Sequence, residues 1–552
     1  MLEGFDPNAI QDLDGARQAI VELLNLIETL AADDRDLRAE IQRLRDENNR
    51  LKGEQGQPKI RPQRSRAAPT AADQSSEAER RQRKRHTKGR KVEHLVIHEE
   101  QTLTVDPGRL PDDVEPKGHE DVVVQDVKLE VHNSLFHKEK YYSPREQKTY
   151  LAELPLGFAG AYGPGVKALT IVLYHGANLS EPKVSEFFKY VGVQISAGQL
   201  SNLLIQGQDP FHAEKEGVYA AGLRSSPWQH IDETGTRVNG VNAHCHIVCN
   251  PLYTAYVTTA KKDRLAVLQA LLNGRPLTFQ LNAEAYAWLA PVGLPATALV
   301  GLHALPQEQA LSEADFTQRL EAQLPTLGTQ HRRWILEAAA VAAYHAQQEF
   351  PVVELLLCDD ADQFKRLTQD FAGCWVHDGR HYTKLAPVVS HHRQQLADFL
   401  ERYWAYYAEL LAYRQAPTPE RAAQLSGQFD ELFATVTGYA ALDDRIAKTQ
   451  AKKDALLMVL KHPELPLHNN PAELGARQRV RKRDVSFGPR TAEGQRGWDT
   501  FQTLVATAKK LGVSFYHYVF DRVTGNNQVP PLADLITERA KQLRLGESWG
   551  AT

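Results

Sequence analysis

The sequence predicts a multidomain α/β protein, with an N-terminal coiled coil, a helix-turn-helix and an α/β core interrupted by all-α insertions. Three observations carry this. A leucine recurs every seventh residue from Leu23 through Leu30, Leu37 and Leu44 to Leu51. Three short helical patterns joined by tight turns fill residues 163–206. Beyond them the periodicity runs strand, hairpin, helix, strand, helix, with long helical stretches between. At 552 residues the chain exceeds one core, and several domains of roughly 100–200 residues each are expected.

In the zipper, Ile20, Ile27, Ile41 and Asn48 fill the companion core position, with Asp34 the exception, and Asn48 favours a parallel dimer in register. A Gly-, Gln-, Pro-, Ser- and Arg-rich linker follows, ending in the basic block Arg80–Lys91, which includes Arg83, Lys84 and Arg85. Such a block fits phosphate contact. Residues 93–142 alternate apolar and polar and predict a small β-rich module.

In 163–206, Ser180 is positioned to cap a helix with Pro182 in its first turn, Gly192 closes it, and Ser196 with Gln199 forms a capping box for the next. Then Gln229–Ile231 predicts a short strand, 241–250 and 253–259 a hairpin turning at Asn250-Pro251, and 263–272 a helix. Residues 275–347 are largely helical, Val352–Cys358 is an apolar run buried on both faces, a helix begins at 375, and 390–461 is almost wholly helical. Helices at 470–482 and 497–511 follow.

Net charge is −4, so positive charge is local rather than global. The four cysteines form no disulfide framework and suit a reducing, cytoplasmic setting. There is no basic-then-apolar leader, and no apolar run long enough to span a membrane.

Three acidic residues stand in distinctive contexts. Asp232 lies in Trp228-Gln-His-Ile-Asp-Glu-Thr-Gly235, Asp359 ends the run Val352–Cys358, and Glu473 lies in His468-Asn-Asn-Pro-Ala-Glu473. Two Asp at strand ends and a Glu opening a helix suit a pair of divalent ions in phosphodiester chemistry. Asp360 competes with Asp359. Glu233 competes less well with Asp232, because it points to the opposite face of an extended segment. Zinc is disfavoured at His244, Cys245, His246 and Cys249, which divide between two strand faces, and at Cys374, His377 and His381, which have no evident fourth ligand.

The segments Lys140–Pro144, Gly163–Leu169, Ile195–Gly198, His230–Gly235, Asp359–Phe364, Cys374–His377 with Arg380, Asn469–Glu473 with Arg477, and Thr507–Gly512, in that order, make the chain resemble bacterial transposases of the insertion-sequence-66 family. The resemblance implies a ribonuclease-H-like core, a DDE triad of Asp232, Asp359 and Glu473 that is both catalytic and metal-binding, two Mg²⁺ ions for which Mn²⁺ can substitute, and an all-α insertion before the Glu. Arg380, in a segment that matches a family motif, is placed to hold phosphate oxygens, and the basic stripe after Glu473, with Arg477, Arg481 and Lys482, suits the DNA backbone, as do Arg83, Lys84 and Arg85 of the basic block. For Arg380 helix packing is an equal alternative. One departure stands out. Many relatives carry a cysteine-rich zinc module before the helix-turn-helix, and residues 54–150 here contain no Cys, which points to a degenerate, metal-free version.

The expected division is coiled coil 1–57, basic linker 58–92, β-rich module 93–150, helix-turn-helix 151–222, core 223–389 with a helical insertion at about 275–347, all-α insertion 390–465, core 466–525 and C-terminal tail 526–552. The expected function is a Mg-dependent DDE transposase of the bacterial cytoplasm and nucleoid. It binds terminal inverted repeats and target DNA, cleaves and joins strands, pairs through its zipper and draws on accessory proteins of its element. The alternatives are a non-catalytic DNA-binding regulator and a nuclease of the same fold without strand transfer.

Overall fold

The computed structural model describes residues 12–52, 95–110, 115, 118–158 and 160–550. The linker and the basic run with Arg83, Lys84 and Arg85 lie outside the described residues. The zipper segment is a single helix, α1 (Leu13–Leu51), whose leucines face outward, from Leu23 at 37% exposure to Leu51 at 79%.

The β-rich expectation for 93–150 is corrected. Among the described residues it holds only the hairpin β1 (Lys140–Ser143) and β2 (Lys148–Leu151). Val122, Val124 and Val127, within the apolar segment read as strand-like, are all more than 70% exposed. With no apolar layer among the described residues to cover them, the segment has nothing to fold against.

Helices α2 (Pro164–Ile171), α3 (Glu181–Tyr190) and α4 (Ala197–Ile205) bury Val184, Phe188, Leu200 and Leu204 together. A π-helical turn, Val172–Gly176, extends α2. Ser196 caps α4 by accepting from the Gln199 amide at 3.2 Å, and Gly192 takes the left-handed conformation (φ +88°) that ends α3. Ser180 precedes α3 but makes no side-chain cap, contrary to expectation.

Helix α5 (Asp209–Arg224) leads into the sheet. The predicted short strand is the first part of an eleven-residue one, β3 (Trp228–Val238), paired with β4 (Val241–Cys249) from His230↔Cys249 to Val238↔Val241. Asn239 and Gly240, both at positive φ (50° and 76°), close this two-residue hairpin, a turn signal the sequence reading passed over. Strand β5 (Thr254–Thr259) continues the meander, and α6 (Arg264–Leu271) follows. The first insertion contains β6 (Thr278–Phe279), α7 (Ala283–Leu289), α8 (Ala296–His303), β7 (Leu311–Ser312), α9 (Glu313–Gln323) and α10 (Thr329–Ala346). Strands β8 (Leu355–Cys358) and β9 (Asp370–Gly373) complete a five-stranded sheet of order β5-β4-β3-β8-β9, in which β8 runs parallel to both β3 and β9.

Next come α11 (Trp375–Thr383) and the second insertion, α12 (Ser390–Tyr413), α13 (Pro419–Phe433), α14 (Ala440–Gln450), α15 (Lys453–Leu456) and α16 (Met458–Lys461). The chain then returns through α17 (Asn470–Ser486), α18 (Ala492–Lys510), α19 (Phe515–Thr524) and α20 (Leu532–Leu543). The expected tail is therefore structured: Leu532 and Ile536 of α20 are fully buried in the main core, and α20 packs along α5.

Candidate active site

Strand register brings the first two acids together. β3 and β8 pair in parallel with Trp228↔Leu355 and His230↔Leu357. Asp232 and Asp359 each stand two residues further on, so they emerge from neighbouring strands on one face. Their alternatives turn elsewhere. Glu233 accepts from His244 Nδ1 at 2.6 Å, and Asp360 is held by Lys365 (2.9 Å) and Lys452 (2.5 Å).

The third acid arrives on α17. Asn469 precedes that helix, Pro471 starts it and Glu473 lies in its first turn. Asn469 is a buried knot: its Nδ2 donates to the Ile231 carbonyl (2.7 Å), its Oδ1 accepts from His230 Nδ1 (3.0 Å), and its amide donates to Cys374 Sγ (3.2 Å). Burial pushes His230 down to about 3, so the ring stays neutral and fills its donor role. Three motifs far apart in sequence, at 230–235, 374–377 and 469–473, are thus tied by one residue, through its side chain and its backbone amide. Gly475 lets α17 lie against the sheet: a Cβ there would meet Ile247 Cγ2 at 2.7 Å, and Tyr256 donates its hydroxyl to the Gly475 carbonyl at 3.1 Å. The sequence reading assigned no role to His230, Asn469 or Gly475. The first two lay inside segments it had singled out. The third carried no signal beyond being a glycine in a helix.

The acids sense one another. Burial, with the Asp359 and Glu473 carboxylates adding to it, pushes Asp232 up to about 7 despite the Glu233 amide donating to it at 2.8 Å. Asp359 accepts from the Ala361 amide (3.2 Å), which fixes the turn after β8. Arg380 of α11 forks Glu473, donating at 2.9 and 3.1 Å to its two oxygens.

A model of the Transposase IS66 family matches residues 338–496, which takes in Asp359 and Glu473 and begins beyond Asp232. The uncharacterized protein y4jO of Sinorhizobium fredii (strain NBRC 101917 / NGR234) is 30% identical over 321 residues, 58% of this chain and 99% of that protein. The chain belongs to the IS66 transposase family.

The remaining basic residues of this IS66-family protein divide. Arg477 and Arg481 are exposed along α17, one turn apart, with Arg477 3.9 Å from Glu473. Lys482 is corrected: it is fully buried, sits 3.2 Å over the Tyr174 ring, and donates to the carbonyls of Tyr174 and Leu179. Burial lowers its pKa to about 7. It fastens α17 to the α2–α4 unit and has no free ammonium for a phosphate. The helical period decides this, since Lys482 lies on the face that also buries Arg479.

A cavity of about 310 Å³ lies between Asp360, Phe371 and His377 on one side and Ala451, Lys452 and Ala455 of the second insertion on the other. No helix among the described residues is long and apolar enough to cross a membrane.

Proposed function

We propose that this IS66-family protein is a DDE transposase with a ribonuclease-H-like core. In this reading it binds the inverted repeats of its element, cleaves the strands and joins the 3′-hydroxyls to target DNA. The observation that carries the reading is the shared register of Asp232 and Asp359 with Glu473 on the adjoining helix, all within one electrostatic field. A carboxylate pushed up to about 7 by burial and two neighbouring acids marks a site short of positive charge. Hard oxygen donors suit Mg²⁺ or Mn²⁺. Among the described residues no three such side chains are gathered tightly enough to ligate an ion as they stand, and Glu473 is engaged by Arg380. The donor chemistry and the charge fit the ions, and Asp232, Asp359 and Glu473 would hold them.

Divalent ions at such a site activate the attacking water or hydroxyl and stabilise the leaving oxygen. The protein's own groups do the rest. Asp232 gives up its proton as cations enter. Arg380 either stays forked on Glu473 or turns to a phosphate oxygen. Arg477 and Arg481 line α17 beside the acids and hold the DNA backbone by charge. The α2–α4 unit serves as the helix-turn-helix, the basic run 80–91 adds phosphate contacts, and α1 pairs two subunits so that two ends are processed together.

The test is Mg²⁺-dependent cleavage of a labelled inverted-repeat substrate. Asp232→Asn, Asp359→Asn and Glu473→Gln are each expected to abolish cleavage while DNA binding persists. Cleavage by all three would refute the reading.

A further inference from the structure

Helix α1 meets the second insertion through one face only. Glu28 is 7% exposed, and its carboxylate accepts from the amides of Val388 (3.0 Å) and Val389 (2.7 Å) and from His392 Nδ1 (3.3 Å). Those amides open α12, whose N-cap residue, Val389, offers no side-chain acceptor. Asn25 does the same one turn away. Its Oδ1 accepts from the Ala440 amide and its Nδ2 donates to the Gly438 carbonyl, both at 2.9 Å, at the start of α14, which also has no side-chain cap of its own. Arg35 donates to the Ala386 carbonyl at 3.0 Å. Two insertion helices thus receive their caps from a segment some 360 to 415 residues earlier in the chain.

Asn25, Glu28 and Arg35 occupy outer positions of the heptad, opposite the leucine seam. The seam itself is exposed, and its flanks complement themselves. Asp33, Glu40 and Glu47 precede the seam and Arg38 and Arg45 follow it. In a parallel pair these face one another as Asp33 to Arg38 and Glu40 to Arg45 of the other copy. An antiparallel pair would set acid against acid and base against base.

We propose that α1 is a two-sided bracket: its Asn25–Glu28 face is fixed to the second insertion while its leucine face takes a second copy of this chain in parallel, so that dimerisation holds the two insertions at one set separation. This deepens the pairing assigned to α1 above, and its test needs no DNA or catalysis.

The four native cysteines are buried, so a spin label on Glu431→Cys, an exposed position of α13, reports the distance between insertions in the full-length dimer. The expected result is a resolved distance peak that broadens or is lost in Glu28→Ala and in Asn25→Ala, with dimer mass unchanged by light scattering. Glu28→Gln, which keeps the size and loses the charge, is expected to show partial broadening and guards against misfolding of the Ala variants. An unbroken peak in all three variants, a broad distribution in the parent, or dissociation of the Glu28 and Asn25 variants into monomers would each overturn the two-sided bracket. Failure here leaves the catalytic reading intact, since cleavage is measured separately.

Discussion

The two helical insertions differ in how they are held. In the first, between β5 and β8, Phe279, Leu302, Phe316, Ile335 and Val341 join the same buried cluster as Val248, Leu268 and Leu356 of the sheet and its helices. The second shares with α11 a separate core dominated by aromatic rings: Trp375 of α11 packs on Tyr403, Tyr406 and Phe433, and Phe433 on Tyr403 and Phe429, all within 6.5 Å between centroids. It meets the sheet through a small apolar patch, where Met458 of α16 and Leu465 join Trp228, Leu355, Leu357 and Ala372, and through polar ties. Lys452 reaches Asp360 beside Asp359, and buried Asp378 of α11 gathers Arg445, Thr449 and Tyr403. The first insertion is an extension of the core. The second keeps a largely separate core, joined to the sheet by that apolar patch and by charges beside Asp359, and capped by α1 on its other side.

The sharpest way to break this comparison is to damage each core in turn. Phe429→Ala is expected to cost about 3–5 kcal/mol and Ile335→Ala about 2–5 kcal/mol, both side chains being fully buried. The consequences should separate. Hydrogen exchange in the Phe429 variant should accelerate mainly over 390–461, while the Ile335 variant should accelerate exchange across the sheet as well. Global acceleration in both would make the two insertions equivalent.

A second test uses the charge that the site carries where the second insertion meets the sheet. An ordinary aspartate titrates at 3.8, and burial, with the neighbouring carboxylates adding to it, pushes Asp232 up to about 7. Between those values the folded state binds the extra proton, so stability falls as pH rises from about 4 to 7 and stays low above it. Asp232→Asn removes this burden. In chelator-treated protein at pH 8 the variant is expected to be more stable by ~1–4 kcal/mol, with the gain vanishing near pH 4. Equal melting of variant and parent at pH 8 would mean that the three acids do not share one field. Gly475→Ala tests the placement of the third acid: overpacking against Ile247 is expected to cost ~1–3 kcal/mol and to lower cleavage by moving α17, read by melting and by turnover together.

Much of this was legible in the sequence where periodicity and punctuation were strong. The heptad of α1, the Ser196 cap, the buried run at β8 and the helices of both insertions stand close to where the patterns put them. What was not legible depends on contacts between distant segments. The β-branched run at Val122–Val124 reads like a strand but stays exposed, with no layer among the described residues to cover it. Lys482 reads as one more member of a basic stripe until Tyr174 and Leu179, some 300 residues away, enclose it. Leu532 and Ile536 read as a tail until α5 is in place beneath them. Glu28 carries no signal at all, because its partners, the Val388 and Val389 amides and the His392 ring, lie some 360 residues away.

The smallest effect expected separates the two adjacent acids at the end of β8. Asp359 shares its face with Asp232, two residues beyond a paired register position, whereas Asp360 is occupied by Lys365 and Lys452. Burial works against ionisation of Asp360, but the two ammonium groups outweigh it and hold its carboxyl below the usual aspartate range. Its work is therefore to anchor the second insertion. Both lysines keep access to solvent, so the pairs are screened, and Asp360→Asn is expected to cost only ~0.2–1 kcal/mol of stability. Cleavage should fall by less than about tenfold, the loss expected when an insertion is loosened but the acids stay put. Asp359→Asn should be inactive in the same assay. A dead Asp360→Asn beside an active Asp359→Asn would reverse the assignment, and it would mean that the Lys452 contact belongs to the catalytic centre rather than to the attachment of the second insertion.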